Sequence, residues 1–225
     1  MAFAIFFVII ILGVNYNRGF SDILKKNIKW ILLSLFILFF ILILVSLYRM
    51  TELNIDMLGN KYIVEGLRNT SLNEYIIILT NLGGAIVLVA ICLFSIIFVK
   101  DKRYGRYITI NLATITLINL IIKMIVHRDR PLDIGLIVET SYSFPSGHAM
   151  VSMAFYGFLI YLLYNKVKNP GKKFFCCTSL GLIILFIGFS RIYLGVHYTS
   201  DVLAGYSFSL GYLIIFTHIV GKKLK

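Results

Sequence analysis

The sequence predicts an all-α, polytopic membrane protein: a bundle of six transmembrane helices whose polar stretches gather at the outer membrane face. Three observations carry that prediction. First, 59% of the 225 residues are hydrophobic, only 14% are charged, and the mean hydropathy is +0.89, more apolar material than a soluble globule can cover with polar surface. Second, the apolar residues gather into six runs, at 28–48, 75–99, 107–126, 148–165, 174–190 and 202–220, each near the ~20 residues that a helix needs to cross the hydrocarbon core. Third, Lys and Arg sit between these runs with a bias. Alternate connectors and the tail hold fifteen, against seven on the other side. The positive-inside rule then puts both ends of the six-helix unit in the cytoplasm. The net charge of +12 is accounted for by topology, so no nucleic-acid partner is expected.

The chain divides into an N-terminal apolar segment with a basic cytoplasmic linker, 1–27, and a six-helix domain, 28–225. Residues 2–12 are apolar but too short to span. They fit an interfacial piece or the core of a signal peptide, without a basic segment before them or a convincing small-residue cleavage site after. Segment 49–74 mixes Ile55, Met57, Leu58 and Leu67 with Glu52, Asp56, Lys61 and Arg68; it reads equally as an amphipathic piece at the outer interface or as a plain connector. Gly83-Gly84, Gly205 and Gly211 lie inside apolar runs, where small residues let helix backbones approach. Cys92, Cys176 and Cys177 form no CxxC pair and read as buried thiols.

Three polar stretches interrupt this pattern at the outer ends of the runs. They are 123–131 (KMIVHRDRP), 145–148 (PSGH) and 190–201 (SRIYLGVHYTSD). Ionisable groups at a bilayer edge need partners, and the charge count places all three stretches on one face. His197 and Asp201 are four apart and share a face if the last helix has begun. A carboxylate on one imidazole nitrogen fixes the tautomer and aims the other as nucleophile or base, although such a pair alone also fits a structural hydrogen bond. Ser146 suits a helix N-cap; Gly147 then leaves free backbone N–H groups in the first turn to meet an anion, and His148 is placed to act as a general acid. A simple cap with an interfacial histidine accounts for the same residues. Lys123, Arg130 and Arg191 supply cations for phosphate oxygens, the guanidiniums in bidentate fashion. Arg128 and Asp129 are expected to pair locally or face solvent, since neighbours on one turn cannot all enter one pocket. Tyr142, Phe144, Tyr193 and Tyr198 surround these stretches; their rings could line a pocket mouth, but with 15% aromatics in the chain an interfacial aromatic belt is the favoured reading.

Taken together, Lys123 with six residues before Arg130-Pro131, then Pro145-Ser146-Gly147-His148, then Ser190-Arg191 with five residues before His197 and three more before Asp201, resemble the three-part signature of the type-2 phosphatidic acid phosphatase family. These are integral membrane lipid phosphatases related to vanadium haloperoxidases and bacterial acid phosphatases. The resemblance covers about 28–220. It implies that His197 attacks phosphorus to form a phosphohistidine, that Asp201 orients it, and that His148 protonates the leaving group and then activates water. It further implies that Lys123, Arg130, Ser146, Gly147 and Arg191 hold the phosphate oxygens, with no metal and no other cofactor. The expected partner is a membrane lipid phosphate: undecaprenyl diphosphate, phosphatidylglycerol phosphate or phosphatidic acid. The small size and Ile/Lys/Asn-rich composition look bacterial and favour the diphosphate. Two other readings use the same residues. In one, a transporter or flippase binds a phosphate headgroup without cleaving it. In the other, a zinc hydrolase uses His148, His197 and Asp201, but a dication among three cations would be repelled.

Overall fold

The computed structural model describes residues 22–50, 52–132 and 134–224, so the apolar run at 2–12 lies outside the described residues. Among the described residues eight α-helices follow in order: α1 (Asp22–Arg49), α2 (Asn54–Gly59), α3 (Thr70–Thr80), α4 (Ala85–Phe98), α5 (Lys102–Val126), α6 (Gly147–Lys166), α7 (Pro170–Tyr193) and α8 (Thr199–Leu224). No strand occurs among the described residues. Five helices, α1 from Asn27 onward and α5 to α8, are each long and apolar enough to cross a membrane, and α3 with α4 makes a sixth span bent by 42°. The all-helical six-span expectation holds, with one span broken.

That break falls at Gly83-Gly84. A tight turn, Asn81–Gly83, ends the first half, and Gly84 is extended at ψ 154°. Close approach operates here too, because a Cβ on Gly83 would lie 2.7 Å from Ile187 Cγ2 and 3.3 Å from His148 Cδ2.

Helix α6 is the axis of the bundle. Two-thirds of its apolar window is buried, against 11% for α1, so it is apolar on every side, whereas α1 presents Leu35, Leu38, Phe39 and Leu42 outward. The α6 core residues Met150, Met153, Ala154 and Phe158 pack with Ile115 of α5, Ile184 and Ile187 of α7, and Leu213 of α8. Gly205 brings α8 against the start of α6, where a Cβ would meet Met150 N and Ser146 O at 3.2 Å. Gly211 faces Leu33 of α1 at 3.3 Å. Both glycines do what small residues do at helix contacts in lipid.

Side-chain caps set the helix starts. Asp101 accepts from Arg103 N at the start of α5 and Asn169 from Lys172 N at the start of α7, where Pro170 occupies the first turn. Helix α5 stops because His127 turns left-handed at φ 51°. Between α7 and α8 the chain reverses through Gly195 at φ 69°, with Ile134 O only 2.3 Å from where a Cβ would stand. A side chain cannot occupy that position, so the turn requires glycine.

The 49–74 connector folds as α2 and a widened helical turn, Asn60–Glu65. Ile55, Met57, Leu58 and Tyr62 point outward while Asp56 is buried at 2% exposure. The outward apolar face suits an interfacial piece. The inward carboxylate ties that piece to the site.

Candidate active site

The C-terminal ends of α5 and α7 and the N-terminal ends of α6 and α8 converge, together with the 127–146 loop and the 194–198 turn. Ser146 N donates to Asp201 O at 3.2 Å and Leu136 N to Leu194 O at 2.9 Å, so the second and third polar stretches are joined backbone to backbone, and Arg130 Nη1 ties the first to the third through Val196 O.

At the centre His197 is 3% exposed and Asp201 fully buried. His197 Nδ1 lies 3.4 Å from Asp201 Oδ2 and 3.4 Å from Ser143 Oγ. Asp201 also accepts from Arg128 Nη1 at 2.6 Å, from Ser143 Oγ, and from Tyr198 N at 3.0 Å. Several donors therefore fix the carboxylate, and the carboxylate fixes the proton on Nδ1. The other nitrogen, Nε2, is 3.3 Å from Arg130 Nη1. Burial lowers the His197 pKa to about 3, against the opposing pull of Asp201, so near neutral pH the imidazole is uncharged and Nε2 carries a lone pair. A cavity of about 300 Å³, lined in part by Glu52, Asn60, Pro131 and Thr199, reaches His197.

Arg130 reaches this ring from the loop, anchored by Nε to Ser141 O at 2.7 Å and Nη1 to Val196 O at 2.6 Å. Arg191, 1% exposed, donates to Thr80 Oγ1 at 3.3 Å, and Thr80 in turn meets Ser190 Oγ at 2.7 Å. Lys123 donates to the carbonyls of Tyr142 and Ser143, holding the loop over the end of α6. Asn119, one turn earlier, donates to Pro145 O at 3.3 Å. Ser146 caps α6 through Ala149 N at 3.5 Å. Gly147 faces Asn119 and Lys123, and His148 lies within electrostatic range of Arg191, Glu139, Arg130 and Lys123. All eight residues singled out from the sequence thus stand at one end of the bundle.

Other residues of the site were not legible in that way. Arg128 was expected to pair locally or face solvent. It is instead buried, bridging Asp201 and Asp56 (Nη2 to Oδ2, 2.8 Å) and stacking on Tyr198 with 3.9 Å from its guanidinium carbon to the ring centre. That expectation holds only on a helical turn, and none is present here. With α5 ended at Val126, residues 128–130 are not helical, so Arg128 and Arg130 turn inward while Asp129 stays exposed. The aromatic-belt expectation also fails for three members. Phe144 and Tyr193 are buried, Tyr193 bonding Asn69 and Asn73, and Tyr198 packs under Arg128. Asp56 accepts from Ser200 N at 2.7 Å and Ser200 Oγ at 2.9 Å. Glu139 accepts from Arg191 Nη2 and lies 3.8 Å from Arg130 Nη2. Single acidic residues in connectors carry no sequence signal that would have selected them. Among the described residues no three His, Cys, Asp or Glu side chains converge as a metal-ligand set.

The PAP2 superfamily model matches residues 84–225, a span that includes all three polar stretches. The chain belongs to the PAP2 superfamily. Within that family of membrane lipid phosphatases, it is 34% identical to phosphatidylglycerophosphatase B of Bacillus subtilis (strain 168) over 154 residues, 67% of this chain and 75% of that protein. It is 26% identical to an undecaprenyl-diphosphatase of Sulfolobus acidocaldarius over 191 residues, 81% of this chain and 86% of that one. The crystal structure of the transmembrane PAP2 type phosphatidylglycerolphosphate phosphatase from Bacillus subtilis has the same fold, with TM-score 0.75 and 29% identity over 86% of this chain and 97% of that chain. Like these relatives, the PAP2 protein described here is a multi-pass membrane protein. Its α1, connector and α3 precede the matched region, so Asp56 and Thr80 reach the PAP2 site from outside it.

Proposed function

We propose that this PAP2 protein hydrolyses the terminal phosphate of a membrane lipid phosphate or diphosphate through a phosphohistidine at His197, at the outer face of the membrane and without a metal. The observation that carries this is the alignment Asp201–His197–Arg130: a fixed carboxylate on Nδ1 and a guanidinium beside Nε2. The lone pair on Nε2 attacks phosphorus. The bond to the leaving oxygen breaks as His148 delivers a proton to it. The same histidine then removes a proton from water, which attacks the phosphohistidine and releases phosphate. Arg130, Arg191 and Lys123, with Ser146 and the Gly147 N–H, stabilise the equatorial oxygens as charge develops. A transporter needs the cations but has no use for an imidazole held in one tautomer. Both ends of the six-helix unit, residues 28–225, are cytoplasmic in this reading, following the Lys and Arg bias.

Undecaprenyl diphosphate and phosphatidylglycerol phosphate both present a terminal phosphate on a lipid. The sequence favours the first, and relatives named for each reaction support both. The test is phosphate release by detergent-purified wild type and His197→Ala, with EDTA present, on these two lipids and phosphatidic acid. Release by wild type alone is expected. Substantial release by His197→Ala would remove the phosphohistidine, and loss of wild-type activity in EDTA would remove the metal-free mechanism. Binding without release from any lipid would favour the transporter.

A further inference from the structure

The two guanidiniums assigned to substrate phosphate already hold an anion. Glu139, on the loop between α5 and α6, accepts from Arg191 Nη2 and stands 3.8 Å from Arg130 Nη2. Arg191 is 1% exposed, and a buried cation needs a counter-charge. The buried carboxylates nearby are engaged elsewhere, since Asp201 and Asp56 share Arg128. Glu139 is thus the carboxylate that pairs with Arg191, and its side chain is 26% exposed. It meets the two guanidiniums from the loop and, being partly exposed, has solvent to move into. A carboxylate and a phosphate ask the same of a guanidinium, two anionic oxygens facing two N–H groups. They cannot take the same N–H groups at once.

We propose that Glu139 is an internal competitor for the phosphate site, which closes on Arg191 and Arg130 when the site is empty and swings out when a terminal phosphate enters. This rests on the phosphatase reading and adds a selectivity device to it. A terminal phosphate brings up to two negative charges and three free oxygens. A phosphodiester, the form carried by bulk membrane phospholipids, brings one charge and two. An anion that must displace a carboxylate from Arg191 succeeds more readily with two charges than with one. Glu139 therefore keeps the surrounding diester headgroups out of the site, and by re-closing on Arg191 it expels the phosphate that hydrolysis leaves behind.

The test compares wild type, Glu139→Asp and Glu139→Gln, using inorganic phosphate and the diester phosphatidylglycerol in mixed micelles as inhibitors of lipid phosphate hydrolysis. In Glu139→Gln the inhibition constant for inorganic phosphate is expected to fall about tenfold, the scale of one charge-assisted hydrogen bond, and phosphatidylglycerol becomes an inhibitor. Glu139→Asp, which keeps the charge on a shorter arm, falls between. An active Glu139→Gln enzyme with both inhibition constants unchanged overturns the proposal. Phosphate binding is also followed directly, by the shift it causes in melting temperature. If wild type hydrolyses no lipid, the phosphatase reading fails, while the gain in phosphate affinity still decides the role of Glu139. If Glu139→Gln melts early without added anion, inorganic phosphate restores it and chloride at equal ionic strength does not. Failure of phosphate to restore it likewise overturns the proposal.

Discussion

Replacing Arg128 by methionine keeps much of the side chain's length but removes the charge shared by Asp56 and Asp201. Both carboxylate side chains are 0% exposed, and Arg128 itself is 8% exposed, so water screens little of the loss. Breaking a buried pair by deleting one partner costs about 3–5 kcal/mol, because the remaining charge stays desolvated. Here two carboxylates are stranded. Ser200 N still donates to Asp56, and Ser143 Oγ and Tyr198 N still donate to Asp201, which argues for the lower half of that range, ~3 kcal/mol. Chemical denaturation in detergent micelles measures it. Phosphate release measured alongside should fall, because Asp201 loses the guanidinium that holds it in place beside His197 Nδ1. His197→Ala provides the contrast: it removes turnover while leaving the Asp56–Arg128–Asp201 bridge in place. The double variant Arg128→Met/Asp56→Asn should recover part of the lost stability, since one stranded charge is gone. Stability of Arg128→Met within ~0.5 kcal/mol of wild type, the range of an ordinary surface substitution, would refute the account of the bridge.

The remaining predictions concern the same end of the bundle. Asp201→Asn keeps the size but lets the amide present its N–H₂ to the imidazole, so turnover should fall by orders of magnitude with substrate binding retained; an unchanged rate counts against the pair. His197 is held neutral by burial with a folded-state pKa of about 3 against 6.5 for the free side chain. Its contribution to stability is complete above pH 6.5 and lost as pH falls toward 3, because the unfolded chain takes up the proton that the folded site refuses. Melting temperature against pH should show this acid loss in wild type and a smaller one in His197→Ala. For the same reason an acid limb of kcat/KM between pH 5 and 9 belongs to another group; a variant that re-exposes His197 should add an acid limb as its pKa returns toward 6.5, and an unchanged profile in that variant counts against burial as the cause. Gly195→Ala forces a side chain into φ 69° with Ile134 O 2.3 Å from its Cβ. The left-handed backbone alone costs ~1–2 kcal/mol, and the displaced turn should cost most of the activity; wild-type turnover would show that the turn does not position His197.

How much was legible in the chain differs between the spans and the site. Six apolar runs of spanning length are a one-dimensional signal, and the spans appear where they stand. The second run was legible as a span but not as a bent one, since Gly83-Gly84 serves close packing and a break equally well, and only Ile187 and His148 on neighbouring helices decide that it does both. Lys123, Arg130, Ser146, Gly147, His148, Arg191, His197 and Asp201 could be selected because fixed spacing at the ends of apolar runs is itself a pattern. Arg128 could not, because its direction depends on where α5 stops, and that is set by the left-handed turn at His127.

By itself, then, the sequence determined the class of molecule and the residues that carry charge to one end of it, because burial in lipid constrains composition and spacing along the chain. Only the tertiary structure decided which charge meets which. Asp56, Thr80 and Glu139 come from a connector, a broken span and a loop, and Asp56 is far along the chain from Arg128, as Thr80 and Glu139 are from Arg191. Their pairing with Arg128, Arg191 and Arg130 follows from the need of each buried charge for a partner within reach, and reach is a property of the folded bundle.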